Sequence, residues 1–207
     1  MNGAAVKRGI DLVLGSVLLV LCAPALVVVG ILIRRQMGSP VLFRQPRVGE
    51  HGAIFPLWKF RTMRSPVYPD QPDEERITPL GQTLRRWSLD ELPELVHVVS
   101  GRMSLVGPRP LLPEYLPRYT PRQALRHTVP PGITGWAQVN GRNATSWEDR
   151  LEMDAWYVEH RSLALDVRIL LMTVGEVLRG QGVSAGGHAT MPKFQGNAAV
   201  DDEDSSP

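Results

Sequence analysis

The sequence predicts an α+β chain, mainly helical, in which a membrane helix precedes a compact domain carrying a small β element. Three observations predict it. The run Ile10 to Ile33 is almost wholly apolar, β-favouring clusters follow within Val41 to Arg64, and the periodicity over Trp147 to Val158 and Asp166 to Arg179 is helical. At 207 residues the chain suits one domain, or one domain plus a membrane element. The expected division is 1–36 for the membrane helix, 37–180 for the compact domain and 181–207 for a loosely ordered tail. Glycine and small polar residues dominate that tail, which ends in the acidic run Asp201, Asp202, Glu203 and Asp204.

At about 1.5 Å per residue, the apolar run is long enough to cross a hydrocarbon core of about 30 Å. Its length, and the Arg34-Arg35 that follows it, argue against a cleaved signal peptide. Pro24 near its middle lacks an N–H and crowds the preceding turn, so the helix should bend there. Lys7-Arg8 before the run and Arg34-Arg35 after it leave the orientation open under the positive-inside rule. A straight span is the simpler expectation, and a bent helix entering and leaving by one face satisfies both charged ends. Asp11, at the edge of the run, is expected in the headgroup region, paired with a basic neighbour or solvated.

In the compact domain, Val41-Leu42-Phe43 and Ile54-Phe55, separated by Gly49 and Gly52, read as short strands or a hairpin ending in the basic segment Trp58 to Met63. Ser65 to Arg76 is rich in proline and acid, an exposed loop. Thr78-Pro79 supplies an N-cap and first helical residue for a helix reaching about Trp87. Ser88 to Glu91 fits a capping box, opening a helix that runs to about Ser100, with Pro93 near its start. Met103 to Pro113 is an irregular loop carrying Arg109. The last predicted helix has Val167, Leu170, Leu171, Val174, Val177 and Leu178 on a broad apolar face, usually a core face. The interleaved Trp147, Trp156, Tyr157 and Arg168 leave an interfacial role open.

The net charge of +2 conceals a basic stretch, because the acidic tail offsets Arg34, Arg35, Arg44, Arg47, Lys59, Arg61 and Arg64. Such a patch suits anionic headgroups, a phosphorylated ligand or nucleic acid, or is merely solvated. Cys22 is the only cysteine, which excludes an intrachain disulfide and a cysteine-based metal site. No phosphate-binding Walker loop, Gly-x-Gly-x-x-Gly fingerprint, His-Glu-x-x-His zinc pair or Gly-x-Ser-x-Gly elbow is present.

The adjacent acids Asp90-Glu91 are the strongest candidate for chemistry. One carboxylate can attack an electrophile while the other binds a divalent cation through oxygen, and a helix N-terminus would favour an incoming phosphate. Acids in a first turn also simply stabilise a helix, and local sequence does not decide between these readings. Arg109, in a proline-rigid loop, suits bidentate contact with phosphate. Pro130 to Arg142 is dense in turn formers and amides, fit for a nucleotide pocket or a structural loop.

Taken in order, Lys7-Arg8 with the Pro24-bearing run, Trp58-Lys59-Phe60-Arg61-Thr62-Met63, Ser88-Leu89-Asp90-Glu91-Leu92-Pro93, Met103 to Pro110 and Pro131-Gly132-Ile133-Thr134-Gly135-Trp136 resemble the bacterial sugar transferase family of monotopic phosphoglycosyl transferases. The resemblance covers about Lys7 to Arg179. It implies transfer of a sugar 1-phosphate from a UDP-sugar to polyprenyl phosphate, releasing UMP. Asp90 would be the nucleophile and Glu91 the Mg²⁺ ligand. Lys59, Arg61 and Arg109 would contact phosphate or nucleotide, and Gln138, Asn140 and Arg142 would line the nucleotide or sugar site. It further implies a re-entrant membrane helix broken at Pro24, with Ala23 where the family often has serine, interfacial amphipathic helices, and a catalytic domain on the cytosolic face of the bacterial inner membrane. The chain resembles the minimal catalytic form. Its tail, Gly182-Val183-Ser184 to Gly187-His188, resembles the small enzymes using UDP-diacetylbacillosamine in protein glycosylation; UDP-GlcNAc, UDP-GalNAc and other UDP-hexoses stay open. Partners expected are the UDP-sugar, the polyprenyl phosphate and the bilayer, with no nucleic acid. The class-level rival is a membrane-anchored scaffold whose basic face binds anionic lipid.

Overall fold

The computed structural model describes residues 3–141, 145–179 and 193–196. Helix α1 (Gly3–Met37) leads into an antiparallel hairpin, β1 (Leu42–Val48) and β2 (Ile54–Phe60). A short α2 (Asp73–Arg76) precedes α3 (Pro79–Arg86), where Thr78 caps the helix by accepting from Gly81 N at 3.0 Å. A 3₁₀ turn (Leu89–Glu94) runs into α4 (Leu95–Val99) and then β3 (Ser104–Val106). Beyond a 3₁₀ turn over Pro113–Arg118 lie α5 (Pro121–Ala124), β4 (Gly132–Thr134), α6 (Trp136–Asn140), α7 (Trp147–His160) and α8 (Leu163–Leu178).

The hairpin pairs Leu42 with Phe60 and Val48 with Ile54, and its inner face buries Phe55 and Leu57. β3 and β4 pair in parallel, which joins two proline- and glycine-rich segments distant in sequence. Gly107 N donates to Thr134 O and Gly132 N to Pro108 O. A Cβ at Gly107 would sit 2.5 Å from Pro130 O, so only glycine permits this close approach. The main core gathers Phe55, Leu57, Leu95, Val98, Met103, Leu105, Val106, Tyr157 and Ile169 from both strand pairs and from α4, α7 and α8.

Helix α1 is the one described helix long and apolar enough to cross a membrane, with a mean hydropathy of 2.9 over its best window. Its backbone remains helical through Pro24, so the missing N–H there does not divide the element in two. Both ends of its apolar run pack on the same domain. At one end, Gly15 lies against Val98 of α4. At the other, Val29 and Ile33 form a cluster with Phe60 and Leu84. Between them Val20 and Leu21 are about 70% exposed, at 72% and 70%.

Asp11 lies 3.9 Å from Lys7, the kind of basic neighbour expected to pair with it, and is not solvated. It is buried, accepting from Ser104 Oγ at 2.8 Å and Leu105 N at 3.1 Å. Lys7 bonds Asp166 at 2.7 Å, and Tyr157 donates to the same carboxylate. Arg8 donates to the carbonyls of Val98 and Val99 at the end of α4, where carbonyls run short of intrahelical partners; that of Val98 also accepts from Gly101 N at 3.1 Å. The start of α1 is therefore tied to β3, α4 and α8 by buried and part-buried charge-assisted hydrogen bonds, the stronger kind.

The predicted apolar stripe of α8 divides: Leu170 packs on the main core, while most of the rest faces outward. Val167, Leu171, Val174 and Leu178 are exposed, while Ile169 and Asp166 on the other side are buried. Most of the tail, including Gly182 to His188, lies outside the described residues. The loose order expected there does not extend to Phe194, which is buried against Tyr115, Tyr119 and Trp147.

Candidate active site

Asp90 and Glu91 sit on the 3₁₀ turn Leu89–Glu94 rather than at the N-terminus of an α-helix. The expected capping box does not form. Ser88 takes a left-handed conformation, φ 53°, uncommon for a residue with a side chain, and its side chain makes no capping hydrogen bond. Glu91 turns the other way. Its Oε1 accepts from Lys59 Nζ at 2.5 Å and from Arg109 Nη2, while Arg109 Nη1 lies 3.4 Å from Oε2. The helix-stabilising reading of Glu91 is thereby excluded, because its carboxylate serves two cations from distant elements.

In a 3₁₀ turn the side chains at i and i+3 eclipse. Glu91 and Glu94 accordingly stand on one face, and Lys59 Nζ also lies 3.3 Å from Glu94 Oε1. Pro93, tolerated poorly inside an α-helix, is accommodated in this tighter turn. Lys59 comes from β2, opposite Phe43 in the hairpin. Arg109 comes from the loop after β3, whose carbonyls are braced from outside: Arg126 donates to Arg109 O, Arg47 to Pro110 O, and Val48 N to Leu111 O. Arg126 is itself buried against Asp154 at 3.0 Å. The hairpin, the acidic turn and the proline loop thus converge on one spot.

The carboxyls are pulled in opposite directions. Burial works against the charge of Glu91, but Arg109 and Lys59 outweigh it and hold the group well below the usual carboxylate range. Burial, and then the charge of Glu91, raises Asp90 against the opposing pull of Lys59, Arg85 and Arg109. Burial, reinforced by Glu91, pushes Glu94 up to about 7. Carboxyls so close in sequence and so divided in environment are characteristic of catalytic sites.

Arg47 belongs to this cluster, and sequence reading placed it only in the general basic stretch. Burial, followed by the charge of Arg109, lowers its guanidinium to about 10. Glu94 had no signal beyond its i+3 spacing from Glu91. Other expected site residues lie elsewhere. Arg61 donates to Met37 O at the end of α1, and no described contact joins it to the acidic turn. Gln138 donates to Ile133 O and Asn140 to Trp136 O, so both brace the loop and short helix they belong to. Arg142 lies outside the described residues.

The family model for bacterial sugar transferases matches residues 2–180. The chain belongs to the bacterial sugar transferase family. This sugar transferase is 48% identical to the "uncharacterized sugar transferase EpsL" of Bacillus subtilis over 94% of its own length and 98% of that protein. It is 40% identical to the UDP-glucose:undecaprenyl-phosphate glucose-1-phosphate transferase of Escherichia coli, covering 81% of this chain but 39% of that one. It is 35% identical to the UDP-N-acetylgalactosamine-undecaprenyl-phosphate N-acetylgalactosaminephosphotransferase of Aeromonas hydrophila, covering 86% and 45%. The sugar transferase thus spans nearly all of the first relative and under half the length of the other two.

Proposed function

We propose that this sugar transferase moves a sugar 1-phosphate from a UDP-sugar to polyprenyl phosphate, releasing UMP, through a phosphosugar ester on Asp90. The observation that carries the reading is the convergence of Lys59 and Arg109 on Glu91, beside the buried Asp90. Asp90 attacks the β-phosphorus of the diphosphate, and the bond to the UMP oxygen breaks. A phosphate oxygen of the polyprenyl acceptor then attacks the same phosphorus and frees the Asp90 carboxylate. Arg109 offers a planar fork and Lys59 a point charge to the phosphate oxygens, offsetting the repulsion an attacking carboxylate meets.

Among the described residues no group of three His, Cys, Asp or Glu side chains could enclose a metal ion. The donor set fits a cation of another kind, one taking a single carboxylate and drawing its other oxygens from substrate phosphates and water, as Mg²⁺ does. Glu91 would hold it, since this carboxyl stays ionised and already attracts two cations. When bound, Mg²⁺ supplies charge neutralisation on the diphosphate and the departing UMP.

Helix α1 enters and leaves the bilayer by one face in this proposal, with α8 lying along the surface and the domain on the cytosolic side of the bacterial inner membrane. The support is the docking of both ends of the apolar run on one domain and the outward stripe of α8. A UDP-N-acetylated amino sugar, such as UDP-diacetylbacillosamine, is the proposed donor class; relatives are named for glucose, galactose and N-acetylgalactosamine. The test is UMP release across a panel of UDP-sugars with polyprenyl phosphate in nanodiscs. Acceptor-dependent release is expected, greatest with an N-acetylated amino sugar. Binding to anionic lipid with no turnover of any UDP-sugar would instead identify a scaffold.

A further inference from the structure

We propose that Glu94 is a positioning residue that takes over Lys59 when Glu91 engages a divalent cation. The proposal rests on the reading of Glu91 as the cation ligand. Lys59 and Arg109 share the same oxygen, Glu91 Oε1. A Mg²⁺ ion sits about 2.0–2.1 Å from a ligand oxygen. A doubly charged cation on either oxygen of this carboxylate repels the ammonium 2.5 Å from Oε1, which drives Lys59 away from Glu91.

Glu94 is placed to receive it. Its Oε1 is 3.3 Å from Lys59 Nζ, and the eclipsed geometry of the 3₁₀ turn holds it on the face that Glu91 uses. The Glu94 side chain is only 2% exposed, so water does not compete for it. That Oε1 makes no other hydrogen bond among the described residues. The Lys59 backbone is fixed in the hairpin, so its ammonium reaches a short charge-assisted bond to Glu94 by a small side-chain adjustment. Lys59 then stays beside Asp90, where the β-phosphate arrives, instead of competing with the cation. Without the Glu94 carboxylate, Glu91 is the sole carboxylate Lys59 has among its ion pairs, and the two cations contend for one group.

Mn²⁺ binding to the full chain in nanodiscs, titrated by electron paramagnetic resonance, tests this without reading activity. Glu94→Gln is expected to weaken Mn²⁺ binding about tenfold, the scale of one charge-assisted hydrogen bond. Adding Lys59→Met to that variant should restore the affinity, because the competing ammonium is gone. Unchanged binding in Glu94→Gln, or weakened binding that Lys59→Met fails to restore, would overturn the proposal. Melting curves of each variant, with Glu94→Asp as the conservative control expected to keep most of the affinity, separate a lost fold from a lost partner. Glu91→Gln distinguishes the two levels of the argument. If it abolishes Mn²⁺ binding while Glu94→Gln does nothing, only the role of Glu94 falls. If Glu91→Gln leaves Mn²⁺ binding intact, the cation reading of Glu91 falls and this proposal with it.

Discussion

Asp90→Asn is expected to abolish UMP release from the UDP-sugar with polyprenyl phosphate, a loss of at least about 10³-fold, while the protein stays folded. An amide is nearly the same size as a carboxylate and is a far weaker nucleophile. Its effect on stability should be small, because burial and the neighbouring Glu91 already disfavour the charged form of Asp90. Lys59 and Arg109 each bind Glu91 directly, so their arrangement does not depend on Asp90. UMP release by Asp90→Asn at a near-normal rate, with an unchanged melting temperature, would remove Asp90 as the nucleophile.

Cysteines placed at Ala5 and at Gln36, in a chain carrying Cys22→Ala, are expected to react with a membrane-impermeant maleimide from the same face of a sealed vesicle. Lys7, Arg8 and Asp11 are bonded to the domain at one end of α1, and Ile33 is buried against Phe60 and Leu84 at the other. A straight span would carry one end across about 30 Å of hydrocarbon. It would leave Asp11 and Ser104, or Ile33 and Leu84, without the partners they have here. Labelling on opposite faces would refute re-entry. The proposed re-entry thus rests on the anchoring of both ends and not on a break at Pro24, through which the helix continues.

Elements governed by local chemistry were legible in the sequence. Thr78-Pro79 caps α3 as its side chains dictate, the hairpin follows its β-favouring clusters, and α7 and α8 fall where the helical periodicity lies. Asp90-Glu91 stood out for a different reason, since its weight came from the motifs around it. What stayed hidden depends on tertiary placement. Ser88 has the composition of a cap, yet its left-handed backbone directs Glu91 toward Lys59 and Arg109. Glu94 looks like any acid in a helix until the turn proves to be 3₁₀ and eclipses it with Glu91. Arg61 shares a motif with Lys59, but it lies past the end of β2, where the strand no longer sets its direction, and it donates to the Met37 carbonyl. The stripe on α8 has core-like composition, and periodicity alone does not say whether protein or lipid covers such a face.

The central claim is that Asp90 carries the phosphosugar between the two substrates. Intact-protein mass spectrometry of the chain incubated with its UDP-sugar and Mg²⁺, without polyprenyl phosphate, tests it most directly. The account predicts a mass increase equal to one sugar phosphate, accompanied by one equivalent of UMP, located on the peptide containing Asp90, discharged by adding polyprenyl phosphate, and missing in Asp90→Asn. UMP formation that requires the acceptor from the outset, with no adduct on the protein at any time, would contradict it.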